Sequence, residues 1–160
     1  MLRGIALFRG LNQEELEILA DMCGIWETMD GQYIFKEGDK SEILYAIIEG
    51  KVDVLFSAGI ISNRKTGELQ PGQVFGEMSM IDAEKRLASV RCTQDCRLLS
   101  LTIDDFKRLG KSHPHIHLTI YKNISRETSR RLRSAEIRLR EITGKNKKIE
   151  YLCPSEDIII

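Results

Sequence analysis

Proline is scarce in this chain, with three in 160 residues, and aromatic residues make up only 6%. Yet 42% of the residues are hydrophobic, well above the composition of a disordered chain, so a real core can form. The length suits one domain with a helical extension. Net charge is absent as well, since 24 basic residues cancel 24 acidic ones. No whole-molecule charge therefore argues for nucleic acid or a membrane surface. The longest purely apolar run, Ile43 to Ile48, is six residues, whereas a membrane-spanning helix needs about 20. The start, Met1 to Ile5, has no sustained apolar stretch of the kind a secretory signal requires, and Arg9 interrupts it soon after. A soluble, cytoplasmic protein without a membrane partner is expected.

Several chemical signatures are missing too. No Walker glycine–lysine loop occurs, because Gly76 is followed by Glu77 rather than by lysine. No nucleophile–base pair is readable, so an enzyme is not expected. Of the four cysteines, Cys23, Cys92, Cys96 and Cys153, only Cys92 and Cys96 stand close, and no second pair matches them. Zinc and iron–sulfur frameworks are thus unsupported, and the thiols read as small hydrophobes. His113 and His117 lie four apart at a helix start but lack a third ligand, so no metal is expected. Trp26 is expected in the core. No period of 20–50 residues marks a repeat architecture.

What is present is an asymmetry of charge and a change of period. Residues 11–57 carry eleven acidic and three basic residues, and residues 122–148 carry ten basic and three acidic ones. The basic segment is either a nucleic-acid surface or a solvated helix face, and the second is the simpler reading. Asn12-Gln13-Glu14-Glu15 opens a short helix with Asn12 as N-cap, and Gly24 is expected to stop it. Short β-rich runs bounded by turn signals follow: Tyr33–Phe35, Ile43–Ile48, Val52–Phe56, Ala88–Cys92 and Arg97–Leu101. Their spacing indicates a barrel or double-sheet jelly roll. Thr102 then caps a helix containing Phe106 and Leu109. Pro114 starts a long helix that Gly144 is expected to end. Late in it, Thr128, Leu132, Ala135, Leu139 and Ile142 recur at heptad spacing, which favours a homodimer over packing on the chain's own sheets.

The chemistry concentrates in Val74-Phe75-Gly76-Glu77-Met78-Ser79-Met80-Ile81 and Lys85-Arg86-Leu87-Ala88-Ser89-Val90. Gly76 follows a strand and leads into a short turn, where backbone amides attract an anion such as a phosphate. Arg86 can add a charge-assisted fork to that anion. Glu77 fits if it accepts hydrogen bonds from neutral hydroxyls such as a ribose offers. Together these describe a ribose cyclic phosphate. The residues alone leave open a surface turn in which Arg86 pairs with Glu77 or Glu84.

The segment resembles the phosphate-binding cassette of cyclic-nucleotide-binding domains, the sensing module of protein kinase A regulatory subunits and catabolite activator protein. That cassette reads Phe-Gly-Glu, a few apolar or small residues, then Arg, a small residue, Ala, Ser or Thr, Val. Phe75, Gly76, Glu77, Met80, Ile81, Arg86, Ala88, Ser89 and Val90 fall at the kinase-type spacing. Similar runs at Leu7–Leu11, Ile34–Asp39 and Ile48–Val52 extend the resemblance over residues 7–143. It implies a double-stranded β-helix or jelly-roll barrel with a short N-terminal and a long C-terminal helix. The implied organisation is a binding barrel with its N-terminal helix over 1–105, hinge and dimerisation or lid helices over 106–143, and a tail over 144–160.

By the same resemblance, Val74, Phe75, Gly76, Glu77, Met78, Arg86, Leu87 and Ala88 form the ligand site. The amides around Gly76, Glu77 and Met78 would hold phosphate oxygens, with Arg86 as counter-ion and Glu77 accepting from the ribose 2′-hydroxyl. Arg130, Arg131 and Ser134 are the candidates for the purine contact from the long helix. Leu87 replaces a usually small residue and Lys85 a frequent proline. Leu87 is expected to crowd the site and offers no hydroxyl, which disfavours cGMP. The expected function is a cyclic-nucleotide sensor, with cAMP favoured, that regulates an unidentified partner protein by changing shape and needs no cofactor beyond its ligand. The alternatives are a degenerate module that only dimerises or docks, and the sensing fragment of a larger regulator or channel. Only 17 residues follow residue 143, too few for a DNA-binding helix-turn-helix, so no DNA-binding domain is expected in this chain.

Overall fold

The computed structural model describes residues 2–40, 42–58, 61–82 and 84–145. Its first helix, α1 (Gln13–Met22), begins where local chemistry demands. The Asn12 side chain accepts from the Glu15 N–H at 3.0 Å, and the Glu15 carboxylate accepts from the Asn12 N–H at 2.8 Å. That reciprocal capping satisfies two donors that the first turn would otherwise leave orphaned. The helix ends at Cys23, whose backbone is extended. Gly24 is therefore not the helix stop that was expected, and it opens strand β1 (Gly24–Thr28) instead. The physical reason is packing, since a Cβ at Gly24 would lie 2.7 Å from Ser100 Oγ on the neighbouring strand.

Among the described residues seven further strands follow: β2 (Tyr33–Phe35), β3 (Ile43–Glu49), β4 (Val52–Ala58), β5 (Ile61–Leu69), β6 (Val74–Phe75), β7 (Ser89–Cys92) and β8 (Cys96–Thr102). They form two four-stranded antiparallel sheets, ordered β1-β8-β3-β6 and β2-β7-β4-β5. The sheets are not closed into the expected barrel. Among the described residues no strand of one pairs with a strand of the other, so β1, β6, β2 and β5 are edges. The sheets meet through side chains instead of a continuous ladder.

Strand β3 shows why its run is apolar throughout. Leu44 and Ala46 face a core shared with α1 and the later helices, while Tyr45 and Ile47 face a second core with Val52, Val90 and Leu98. Successive residues point to opposite faces, and here both faces are buried. Trp26, expected in the core, is 43% exposed. It lies on edge strand β1, beside β8 alone, and its ring meets Tyr45 edge-on at 5.8 Å while its other side stays open.

Helix α3 (Ile103–Ser112) is capped by Thr102, whose hydroxyl accepts from the Asp105 N–H at 3.0 Å. Helix α4 (Pro114–Lys145) follows, and it continues past Gly144, its expected end. The chain divides into two compact units, one through Glu127 and one from Thr128 onward. In the first, α4 buries Ile116, Ile120 and Ile124, and Asn123 donates from Nδ2 to the carbonyls of Leu7 and Arg9, both at 2.8 Å. In the second, Leu132, Ile137, Leu139 and Ile142 are exposed. Among the described residues no helix is long and apolar enough to cross a membrane. Apart from Gly144 and Lys145, the tail expected over 144–160 lies outside the described residues.

Candidate functional site

Strand β6 pairs with β3 through Tyr45 and Phe75 and through Ala46 and Val74, which buries both Val74 and Phe75 and delivers the chain to Gly76. Gly76 has φ +74°, in the left-handed region that costs a side-chain-bearing residue energy. A Cβ there would also collide with Arg86 Nη1 and lie 3.0 Å from the Ile43 carbonyl oxygen. Glycine is thus required twice over. Glu77 comes next and is buried, Met78 is exposed, and the one-turn helix α2 (Ser79–Asp82) follows. Met80, in that turn, joins the core shared with the helices.

Arg86 is held from both its backbone and its side chain. Its N–H donates to the Asp39 carbonyl at 3.0 Å, and its carbonyl accepts from the Gly38 N–H at 2.9 Å. The turn that clamps it is itself fixed, because Asp39 accepts from the Lys36 N–H at 2.7 Å and Ser89 Oγ accepts from the Glu37 N–H at 2.9 Å. The guanidinium turns inward. Nη2 donates to the Ile43 carbonyl at 2.6 Å, Nη1 donates to the Gly76 carbonyl at 3.3 Å, and the central carbon sits 3.9 Å over the Phe35 ring.

Only 7% of Arg86 is exposed, so it is not the arginine of a solvated surface turn. Burial pushes its pKa down, opposed by the Tyr45 phenol and the carboxylates of Asp39 and Glu77. Burial pushes the Tyr45 phenol up, and Arg86 pulls it back. A guanidinium stays charged at neutral pH, and a buried cation beside a glycine turn is suited to receive an anion.

The structure brings together Val74, Phe75, Gly76, Glu77 and Arg86, with Ala88 half-buried two residues further on. Leu87 is 59% exposed. Arg130, Arg131 and Ser134 belong to the second compact unit, where Ser134 Oγ donates to the Arg130 carbonyl at 3.0 Å. Sequence reasoning missed Phe35, the Ile43 carbonyl and the Gly38–Asp39 clamp. The available signals were the Ile34–Asp39 run, which entered only as part of the family resemblance, and the Glu37-Gly38-Asp39 turn within it.

The other candidates are accounted for by packing. His117 packs against Phe106 with tilted rings whose centroids are 4.3 Å apart, and His113 Nδ1 lies 3.0 Å from Ser112 Oγ. Among the described residues no group of three metal-ligating side chains occurs. Cys23, Cys92 and Cys96 are free thiols, and Cys96 Sγ donates to the Lys51 carbonyl at 3.3 Å. Cys153 lies outside the described residues.

Residues 26–113 match the family model of the cyclic nucleotide-binding domain, and the chain belongs to that family. It is 33% identical over 139 residues to the cyclic AMP receptor protein of Thermus thermophilus, covering 86% of this chain and 62% of that one. The crystal structure of the Thermus thermophilus catabolite activator protein aligns with a TM-score of 0.76 at 31% identity, over 86% of this chain and 63% of that one. The regulatory subunit of a cAMP-independent protein kinase A from Trypanosoma brucei aligns with a TM-score of 0.70 at 25% identity, over 80% and 43%. The chain thus spans less than two thirds of the length of each of these relatives. The resemblance drawn from the cassette residues holds at the level of the family.

Proposed function

We propose that the chain is a cyclic-nucleotide sensor that takes cAMP and regulates a partner protein through a ligand-linked change of shape. The observation that carries this reading is the buried Arg86 guanidinium held against the left-handed Gly76. The amides around Gly76, Glu77 and Met78 bind the phosphate oxygens, and Arg86 supplies the counter-charge. Buried Glu77 accepts from the ribose 2′-hydroxyl. Val74, Phe75, Leu87 and Ala88 flank the ligand, and Leu87, lacking a hydroxyl, favours cAMP over cGMP. The role is sensing rather than catalysis, in the cytoplasm, with no cofactor beyond the ligand. The strand orders of the two sheets support the finer reading of the fold as a jelly-roll double-stranded β-helix.

A homodimer through α4 is part of the proposal. Leu132 and Leu139 are each 61% exposed and Ile142 is 62% exposed, which suits a seam between two copies. Arg131 and Glu136 flank that seam five residues apart, the spacing that brings opposite charges together across a parallel pair. Arg130, Arg131 or Ser134 then turns towards the purine from a second copy. Leu132→Asp with Leu139→Asp should convert the dimer to a monomer in sedimentation, and a variant that stays dimeric would place the interface elsewhere.

The second reading is a degenerate module that only dimerises or docks. The observation favouring it is that Arg86 already donates to two backbone carbonyls, which an incoming phosphate must compete with. Because the chain spans only part of its relatives, either reading is compatible with a sensing portion of a larger regulator. Calorimetric titration with cAMP and with cGMP separates the two. Saturable heat with cAMP is expected, and flat traces with both nucleotides at millimolar concentration would establish the degenerate module.

A further inference from the structure

We propose that Phe35 is a positioning residue whose ring presets the Arg86 guanidinium for an incoming anion, an inference that rests on the reading of Gly76 and Arg86 as the phosphate site. The two hydrogen bonds to the Ile43 and Gly76 carbonyls fix the guanidinium within its own plane. A group lying against the face of that plane resists its tilting. The Phe35 ring lies there, at 3.9 Å from the guanidinium carbon, well inside the range in which a cation is attracted to an aromatic face. With Arg86 buried, water weakens that attraction little.

The platform is itself braced. Phe35 lies 5.9 Å from Phe75 and 6.3 Å from Tyr45, and those two rings stack at 5.4 Å. Phe75 directly precedes Gly76, so one aromatic group fixes both the strand that delivers the glycine and the plane of the arginine. An arginine free to sample its rotamers loses that freedom when it binds an anion, whereas one already stacked has little left to lose. Simple space-filling by Phe35 would be served as well by leucine. Holding the guanidinium plane would not.

Phe35→Leu and Phe35→Tyr separate these roles. The platform reading expects Phe35→Leu to weaken cAMP binding about tenfold, while Phe35→Tyr stays within about twofold of the parent. A readout that needs no ligand accompanies the titration. In the 15N-labelled parent, the Arg86 side-chain protons should be shifted upfield by the ring and the Nη groups should give separate signals. Both features should persist in Phe35→Tyr and disappear in Phe35→Leu.

Equal cAMP affinity in Phe35→Leu and the parent would overturn the proposal. So would Arg86 protons without a ring shift in the folded parent, a result that stands even where Phe35→Leu does not fold. If the parent binds neither cAMP nor cGMP, the nucleotide reading of the site fails, and the Arg86 signals alone decide whether Phe35 holds the guanidinium.

Discussion

Replacing Gly76 by alanine tests the geometry of the site without removing a charged group. The backbone there has φ +74°, and forcing an L-residue into that region costs about 1–2 kcal/mol. The new methyl would also collide with Arg86 Nη1 and lie 3.0 Å from the Ile43 carbonyl oxygen and 3.3 Å from Arg86 Cζ. Overpacking of that kind costs about 1–3 kcal/mol more, because the carbonyl belongs to strand β3 and cannot move freely. At about 2–4 °C per kcal/mol for a chain of this size, the combined loss should lower the melting temperature by roughly 4–20 °C.

Gly31→Ala is the control, since Gly31 has φ +78° but nothing within 4 Å of a new Cβ. It should show the backbone cost alone. Thermal unfolding followed by circular dichroism, with parallel cAMP titrations, reads both variants. Placing Gly76→Ala in an Arg86→Ala background should shed the part of the loss that comes from the guanidinium. The reasoning is refuted if Gly76→Ala melts no lower than Gly31→Ala, or if removing Arg86 leaves the Gly76→Ala loss undiminished.

Three further outcomes are expected. Arg86→Ala should weaken cAMP binding by about 2–5 kcal/mol in a titration, and Glu77→Ala by less, because the first strands a desolvated anion and the second loses hydrogen bonds to neutral hydroxyls; unchanged affinity in Arg86→Ala would misplace the site. Asn123→Ala removes the donor to both the Leu7 and Arg9 carbonyls and should destabilise the fold by about 1–3 kcal/mol in urea unfolding, with a change under 0.5 kcal/mol, about the size of an ordinary surface substitution, counting against that tie. The Cys23 thiol is pushed up to about 12 by burial and, after that, by the Asp105 charge, from an ordinary value of 9.0. Because the folded state holds that proton longer than the unfolded one, the associated stability is present below about pH 9 and is lost as pH rises from about 9 towards 12. Urea midpoints at pH 8 and pH 10 should therefore fall further apart in the parent than in Cys23→Ala, and equal differences would contradict the burial of the thiol.

Much of this protein was legible from residues close together in the chain. The Asn12–Glu15 capping box and the Thr102 cap involve partners three residues apart, so the local sequence contains the whole interaction. The apolar run of β3 announces a strand, and the order Gly76-Glu77 followed by Arg86 announces either an anion site or a surface turn, a choice that only the family resemblance narrowed. Strand β5 was not legible, because Arg64-Lys65-Thr66 on a partly exposed edge has no apolar alternation to read. Nor was the fate of Trp26. Edge or centre is a property of strand order, and nothing beside Trp26 in the chain encodes that only β8 flanks it.

The same distinction runs through the site. Local residues carry only the available chemical groups: a glycine able to take positive φ, a carboxylate after it, and an arginine ten residues on. The tertiary structure alone decided that the arginine would turn inward, that Ile43 would offer the carbonyl it donates to, and that Phe35, 51 residues earlier in the chain, would lie against its face. It also decided that Gly24 serves the packing of Ser100 rather than the end of a helix. Caps and periodicities are short-range and survive in the sequence as patterns. A guanidinium's acceptors and platform are long-range, set by which strands stack and where their edges fall, and only the folded chain contains them.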